Sequence, residues 1–464
     1  MRARHLRGMA AGIALVAGLG MAAPQAAAQT LTDTLIAAYR TSNLIGQNRA
    51  VLRAADEDVA QAVSALRPVV NFVARAEGVS AEQSLPSGPG TTRVENLTAQ
   101  LALSAELTVF DFGRNRLAIG AAEAQVLATR AALVGVEQQV LFNAVAAFMD
   151  VRAAISRLEL REANVRLIGQ ELQAARDRFE VGEITRTDVS IAEARLAGAR
   201  SQVAAAQGDL AVAREAYRAA TGDYPVRLAP PPALPALPAS LEAAQGVARD
   251  RHPAIRRAQF EVTAADLNAE RTAAIGRGTV SGTLNLSIDD DRRDRSSVGL
   301  SYSRPVYTGG RNPSLSRQAI AQRDAARSNL HQTAVEVIEQ VGRSWSNIAV
   351  SRAQIQASAS QIEAAQTAFE GISQEAELGA RTTLDVLNAE QELLDARVGR
   401  VDAETARTLA VYGLLSSMGL LTVEHLDLGI PVYDPEAYYN AVRNAPLRSP
   451  QGEQLDRILQ RMQP

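Results

Sequence analysis

The sequence predicts a mainly α-helical chain with a β-barrel portion, built from two tandem copies of a helix–β-hairpin–long helix–short helix unit. Three observations carry this expectation. Ala makes up roughly a fifth of the 464 residues and aromatics only 4%, a composition suited to long, slender helices and too poor in bulky side chains to fill several solid cores. The chain matches itself at an offset of 197 residues. Short runs of strict apolar–polar alternation recur at the same place in each copy.

The first 28 residues read as a secretory signal peptide. Arg2, Arg4 and Arg7 precede an apolar run over 9–23, and Ala26-Ala27-Ala28 offers a small-residue cleavage site. No later segment holds 18 uninterrupted apolar residues, so an exported chain that enters a membrane is expected to do so as an outer-membrane β-barrel. The chain has no Cys, which excludes disulfides, thiol catalysis, Cys-ligated zinc and a lipidated N-terminal Cys. All 48 basic residues are Arg, but the net charge of −3 argues against a nucleic-acid partner.

Copy one spans 29–222. Its opening helix, 31–66, stops before Pro68. A β-hairpin follows at about 69–111, where positions 97, 99, 101, 103, 105 and 107 are Leu or Ala and the intervening ones are mostly polar. A helical hairpin fills 114–222, with a long helix over 114–181 (about 100 Å at 1.5 Å per residue) and a half-length helix over 188–220. A connector at 223–253 holds six Pro between Pro225 and Pro238 and is expected to be irregular. Copy two spans 254–419, with a β-hairpin at about 279–308 and a helical hairpin at 314–419. A tail over 420–464 carries Pro431, Pro435, Pro446 and Pro450, and its end is expected to be disordered.

The repeat is specific at the residue level. Val109-Phe110-Asp111-Phe112-Gly113-Arg114-Asn115 resembles Val306-Tyr307-Thr308-Gly309-Gly310-Arg311-Asn312. Gly182, Asp188, Val189 and Gly222 match Gly379, Asp385, Val386 and Gly419, and Phe148 matches Trp345 as a packing position. Ala192, Ala194, Ala197 and Ala199 are expected to let helices approach closely. Four strands per chain cannot close a barrel, since about eight is the minimum, and open edges are not tolerated in lipid. Several chains must then share one barrel; three would supply twelve strands, although two or four satisfy the same arithmetic.

The order of elements, the two copies, the turns Phe110–Arg114 and Tyr307–Arg311, and the motifs Val181-Gly182…Thr187-Asp188-Val189 and Leu378-Gly379-Ala380-Arg381-Thr382-Thr383-Leu384-Asp385-Val386-Leu387 resemble the TolC family of outer-membrane channels. The resemblance implies a homotrimer with a twelve-stranded β-barrel in the outer membrane and a twelve-helix α-barrel in the periplasm. It also implies a passive duct that works with a periplasmic adaptor and an inner-membrane ABC or proton-driven pump. The lack of Cys is similar to the non-lipidated branch, and Ile430-Pro431-Val432-Tyr433-Asp434-Pro435-Glu436 resembles type I secretion members.

By the same resemblance Thr187, Asp188 and Arg381 are gate ties, Asp385 and Asn388 line a pore constriction, and Gly182, Glu183, Gly379 and Ala380 form adaptor-docking tip turns. Asn388 stands where the family pattern has a second acid, and Ala376 where some members have a tying tyrosine. The residues also permit a plainer role, with Thr187 or Asp188, and Thr382, Thr383 or Asp385, as helix N-caps. No GxSxG, HExxH or P-loop occurs, and the His residues are scattered, so neither an enzyme nor a cofactor or metal site is expected. The Asp289-Asp290-Asp291 run lacks calcium-loop spacing. The competing class is a periplasmic coiled-coil protein without a pore, for which the alternating strands would have no use.

Overall fold

The computed structural model describes residues 28–84, 88, 91–289 and 293–445. The expected signal peptide (apart from Ala28), Asp290 and Asp291 of the Asp289–Asp291 run and the expected disordered end of the tail lie outside the described residues.

Copy one begins with two helices, α1 (Leu31–Thr41) and α2 (Asn43–Ser64), where one continuous helix is expected. The break is at Ser42, which is extended (φ −65°, ψ 110°) and caps α2 by accepting from the Ile45 N–H. The redirected chain sends Tyr39 and Ile45 into one core. Strands β1 (Val69–Ser84) and β2 (Thr91–Phe110) form the first hairpin, and the helices α3 (Arg114–Glu180) and α4 (Arg186–Thr221) follow. The connector is irregular only through its Pro-rich part. Ser240 then caps a helix, α5 (Leu241–Arg251), where irregular chain is expected. Pro is confined to its flanks, so nothing in 241–251 opposes helix.

Copy two runs through α6 (Pro253–Ala273), a short 3-10 turn, β3 (Thr279–Asp289), β4 (Asp294–Ser303), α7 (Arg311–Glu377) and α8 (Thr383–Ser417). Pro253 opens α6 at N1, where its missing N–H costs nothing, and His252 Nδ1 accepts from the Ala254 N–H. The described part of the tail carries one helix, α9 (Glu436–Val442).

The four strands form one antiparallel sheet in the order β1-β2-β3-β4. Its register puts the alternating apolar residues on one face: Phe72 is opposite Leu103, which is opposite Leu286. One pair along, Val70, Ala105, Leu284 and Val298 line up across all four strands. The other face carries rows such as Asn71, Ser104, Asn285 and Ser297. The apolar face is bare within the chain, with Phe72 70%, Leu97 74% and Val298 85% exposed.

Below the sheet the same order continues as α2, α3, α6 and α7, each packed on the next. The main core lies midway along the helices, where α1 packs on α3 and α4, α5 packs on α7, and the tail joins them around Leu141, Val145, Phe148, Leu415 and Leu421. α3 is apolar and long enough to cross a membrane, but Leu141, Val145, Phe148 and Val151 are the centre of this core. Phe148 is fully buried, and its counterpart Trp345 packs against the same cluster.

Beyond the core the helical hairpins are thin. Ala192, Ala199, Ala206 and Ala213 of α4 are buried, and Ala389, Ala396 and Ala403 are buried at the corresponding places of α8. Small residues at heptad spacing let the helices of each hairpin run close together over their whole length. Ala194 and Ala197, expected to share this role, are exposed instead.

Candidate functional site at the helical-hairpin tips

Each helical hairpin turns at a glycine. Gly182 (φ +81°) and Gly379 (φ +78°) occupy the left-handed region that other residues resist. Behind them the Glu183 N–H donates to the Arg178 carbonyl at 2.9 Å and the Ala380 N–H to the Glu375 carbonyl at 2.8 Å, closing the last turns of α3 and α7. Val181 and Leu378, the equivalent residues just before the glycines, are 71% and 87% exposed. Gly182, Glu183, Gly379 and Ala380 are likewise exposed at the ends of the molecule.

In copy one the helix that leaves the tip is capped two residues before Thr187, the earlier of the two expected caps. Thr185 is the N-cap of α4, while Thr187 and Asp188 lie inside its first turn. Asp188 completes a capping box: its carboxylate accepts from the Thr185 N–H at 2.9 Å and from the Thr185 hydroxyl at 2.7 Å. In copy two Thr382 is the N-cap and Asp385 the reciprocal acid, at 3.1 and 2.8 Å, with Thr383 already helical. Hydrogen bonds from Thr185 hold the Asp188 carboxyl below its ordinary range, and those from Thr382 do the same for Asp385. Both acids are therefore charged at neutral pH. The signal is the repeated Thr-x-x-Asp at 185–188 and 382–385.

Arg381 Nε donates to the Glu375 carboxylate at 2.7 Å, within its own hairpin tip. It is not brought to Asp188 of the same chain. Thr187 is exposed on the first turn of α4. Ala376, in the place of a tying tyrosine, is buried. Asn388 is joined to the other hairpin: its Oδ1 accepts from the Arg195 guanidinium of α4 at 2.8 Å. Arg195 and Leu387 also line a crevice of about 430 Å³ between α3, α4 and α8.

A second polar group lies behind this surface. Glu390 of α8 is 4% exposed, and among the described residues no group bonds to either of its oxygens. Burial, reinforced by the charge of Glu171 on α3, pushes its carboxyl up to about 8. Its counterpart in copy one, Glu193, is exposed and bonded to Arg176 at 2.7 Å. Arg176 corresponds to Ser373, so copy two lacks the cation. The sequence matches Glu193 with Glu390 in the repeat but points to no role for Glu375, Arg195 or Glu390; the Arg176-to-Ser373 difference between the copies is the signal in the chain that separates the two acids.

A four-stranded sheet with one bare apolar face, continued into two long helical hairpins with polar, glycine-turned tips, is the protomer architecture of an outer-membrane efflux or secretion channel of the TolC type. The comparisons agree. The chain matches the family described as "Outer membrane efflux protein" over residues 20–223 and 246–420, and it belongs to that family. It is 33% identical over 453 residues to "Outer membrane efflux protein BepC" of Brucella suis biovar 1, covering 96% of this chain and 97% of that one. It is 26% identical over 317 residues to "Outer membrane protein TolC" of Escherichia coli K12, covering 62% of this chain and 63% of that one. Among solved structures, the outer membrane protein VceC of Vibrio cholerae superposes with a TM-score of 0.73 at 20% identity, covering 84% and 96% of the two chains. The CmeC outer membrane channel of Campylobacter jejuni superposes with a TM-score of 0.74 at 15% identity, covering 90% of each. The chain is thus an outer-membrane protein of the TolC family, and its relatives are channels, not enzymes.

Proposed function

We propose that three copies of this chain form the passive exit duct of a tripartite efflux or type I secretion system. The observation that carries the reading is the sheet. Its apolar face is exposed across four strands, and its outer strands β1 and β4 both end in unpaired edges within the chain. Lipid accepts such a face only if the edges are closed, and three chains supply twelve strands, well above the minimum of about eight. The helices continuing each strand would then wall a canal below the barrel, with α2 of one protomer beside α7 of the next. A wall of this kind needs thin contacts, which the Ala seams provide.

The hairpin tips form the far end of the duct. Thr187 and Asp188 on one protomer and Arg381 on its neighbour would tie the end shut, and Asp385 and Asn388 would line its narrowest ring. The exposed Val181 and Leu378 beside Gly182, Glu183, Gly379 and Ala380 offer the apolar contacts to which a periplasmic adaptor would dock, bringing with it an inner-membrane ABC or proton-driven pump. The "Alkaline protease secretion protein AprF" of Pseudomonas aeruginosa, 26% identical over 312 residues, supports a secretion role beside efflux.

The test is electrophoretic migration of outer-membrane fractions with and without boiling. A band of three chain masses that collapses to one on boiling supports the reading. A monomer in the soluble periplasmic fraction contradicts it.

A further inference from the structure

The two copies treat one acidic position in opposite ways. In copy one Glu193 of α4 is solvated and paired with Arg176 of α3. In copy two Glu390 of α8 is buried and unbonded, and Ser373 of α7, which replaces the arginine, also buries an unpartnered Oγ. A buried ionised carboxylate without a partner is costly, so the fold is compatible with Glu390 only in its neutral form.

The groups around it do not supply a counterion. α3 brings Glu171, the charge felt most directly by Glu390, and beyond it Arg178, which attracts Glu171. α7 brings Glu377, which repels Glu171. α4 brings Arg195, already bonded to Asn388. On α8 itself Asp385 is held in its capping box.

We propose that Glu390, one helical turn from the packing of Leu387 on Ile168 and Leu172 of α3, is a proton-dependent latch between α8 and α3, closed while its buried carboxyl is neutral and released when it is charged. The latch rests on the reading of the chain as a gated duct, and regulates that gate. α8 carries the residues of the constriction, so freeing it from α3 lets the α7–α8 hairpin swing outward. Alkaline periplasmic pH thereby favours the open duct.

Two measurements on the full-length protein test this between pH 5 and pH 9, above the range where Asp188 and Asp385 titrate. One is the thermal midpoint in detergent, which reads the latch whether or not the chain conducts. The other is open probability in planar bilayers. In the wild type the midpoint should fall by about 4 °C or more towards pH 9. Open probability should rise by up to about tenfold per pH unit near pH 8. Glu390→Gln should flatten both profiles above pH 7, leaving the fall near pH 6 that Asp56 contributes to the midpoint, and Ser373→Arg, which restores the copy-one pair, should remove the alkaline loss of stability. A Glu390→Gln profile that parallels the wild type in both readouts would overturn the latch. A flattened midpoint profile in a protein that never conducts keeps the α3–α8 latch and overturns the duct reading alone.

Discussion

Arg381 is held by Glu375 at 2.7 Å, so the cation assigned to the gate is bound by its own hairpin in a single protomer. Only its Nε is taken, but a neighbour's Asp188 would have to share one guanidinium with Glu375, which draws it back towards its own hairpin. Glu375→Gln should favour the tie and lower single-channel conductance, while Arg381→Ala should raise it. The partners are half exposed, so each effect should be modest, at most about fivefold, and shrink with salt. Conductance that moves the same way in both variants would contradict the competition.

Asp188→Ala is a poorer probe of the same tie. Its carboxylate also caps α4, so the substitution loosens the helix start as well. The cap can be measured separately. Thr185→Ala and Thr382→Ala should each cost about 1 kcal/mol of stability, read as a shift in denaturant midpoint, with selectivity unchanged.

Arg195 bears on selectivity. Its guanidinium stands 2.8 Å from Asn388, at the position where the family pattern has a second acid. If these residues line the constriction, the charge of Asp385 is partly offset there. Arg195→Gln and Asn388→Asp should both move the reversal potential in a KCl gradient towards that of potassium. A reversal potential unchanged in both variants would place the pair outside the conduction path.

Asp56 predicts a pH effect near the core. It is 1% exposed on α2, neither carboxylate oxygen is bonded among the described residues, and burial pushes its carboxyl up to about 6 from an ordinary 3.8. Arg130 pulls in the other direction and Glu57 adds to the rise. The neutral acid fits the fold, so its contribution is complete below pH 3.8 and is lost as pH rises through about 6. Asp56→Asn should raise the thermal midpoint at pH 8 more than at pH 4. An equal shift at both would show that the carboxyl does not titrate in this window.

The architecture was largely legible because it is written twice. The 197-residue offset aligned Gly182 with Gly379 and Asp188 with Asp385, and strand alternation placed Leu103 and Leu286 on one face before their pairing was known. What escaped was tertiary. Ser42 looks like any helix-compatible residue until Tyr39 and Ile45 must reach one core. α5 was hidden by the six Pro ahead of it, which stop short of Ser240. Glu193 and Glu390 are the same letter at the same repeat position, and only the neighbour across the hairpin, Arg176 or Ser373, separates a solvated ion pair from a buried acid.

If this chain builds a gated transmembrane duct, single-channel recording of the purified protein in planar bilayers will read its conductance. Discrete, uniform conductance steps are expected for the wild type and larger steps for Arg381→Ala. Bilayers that stay silent at every protein concentration, or steps of unchanged size in Arg381→Ala, would contradict a gated duct.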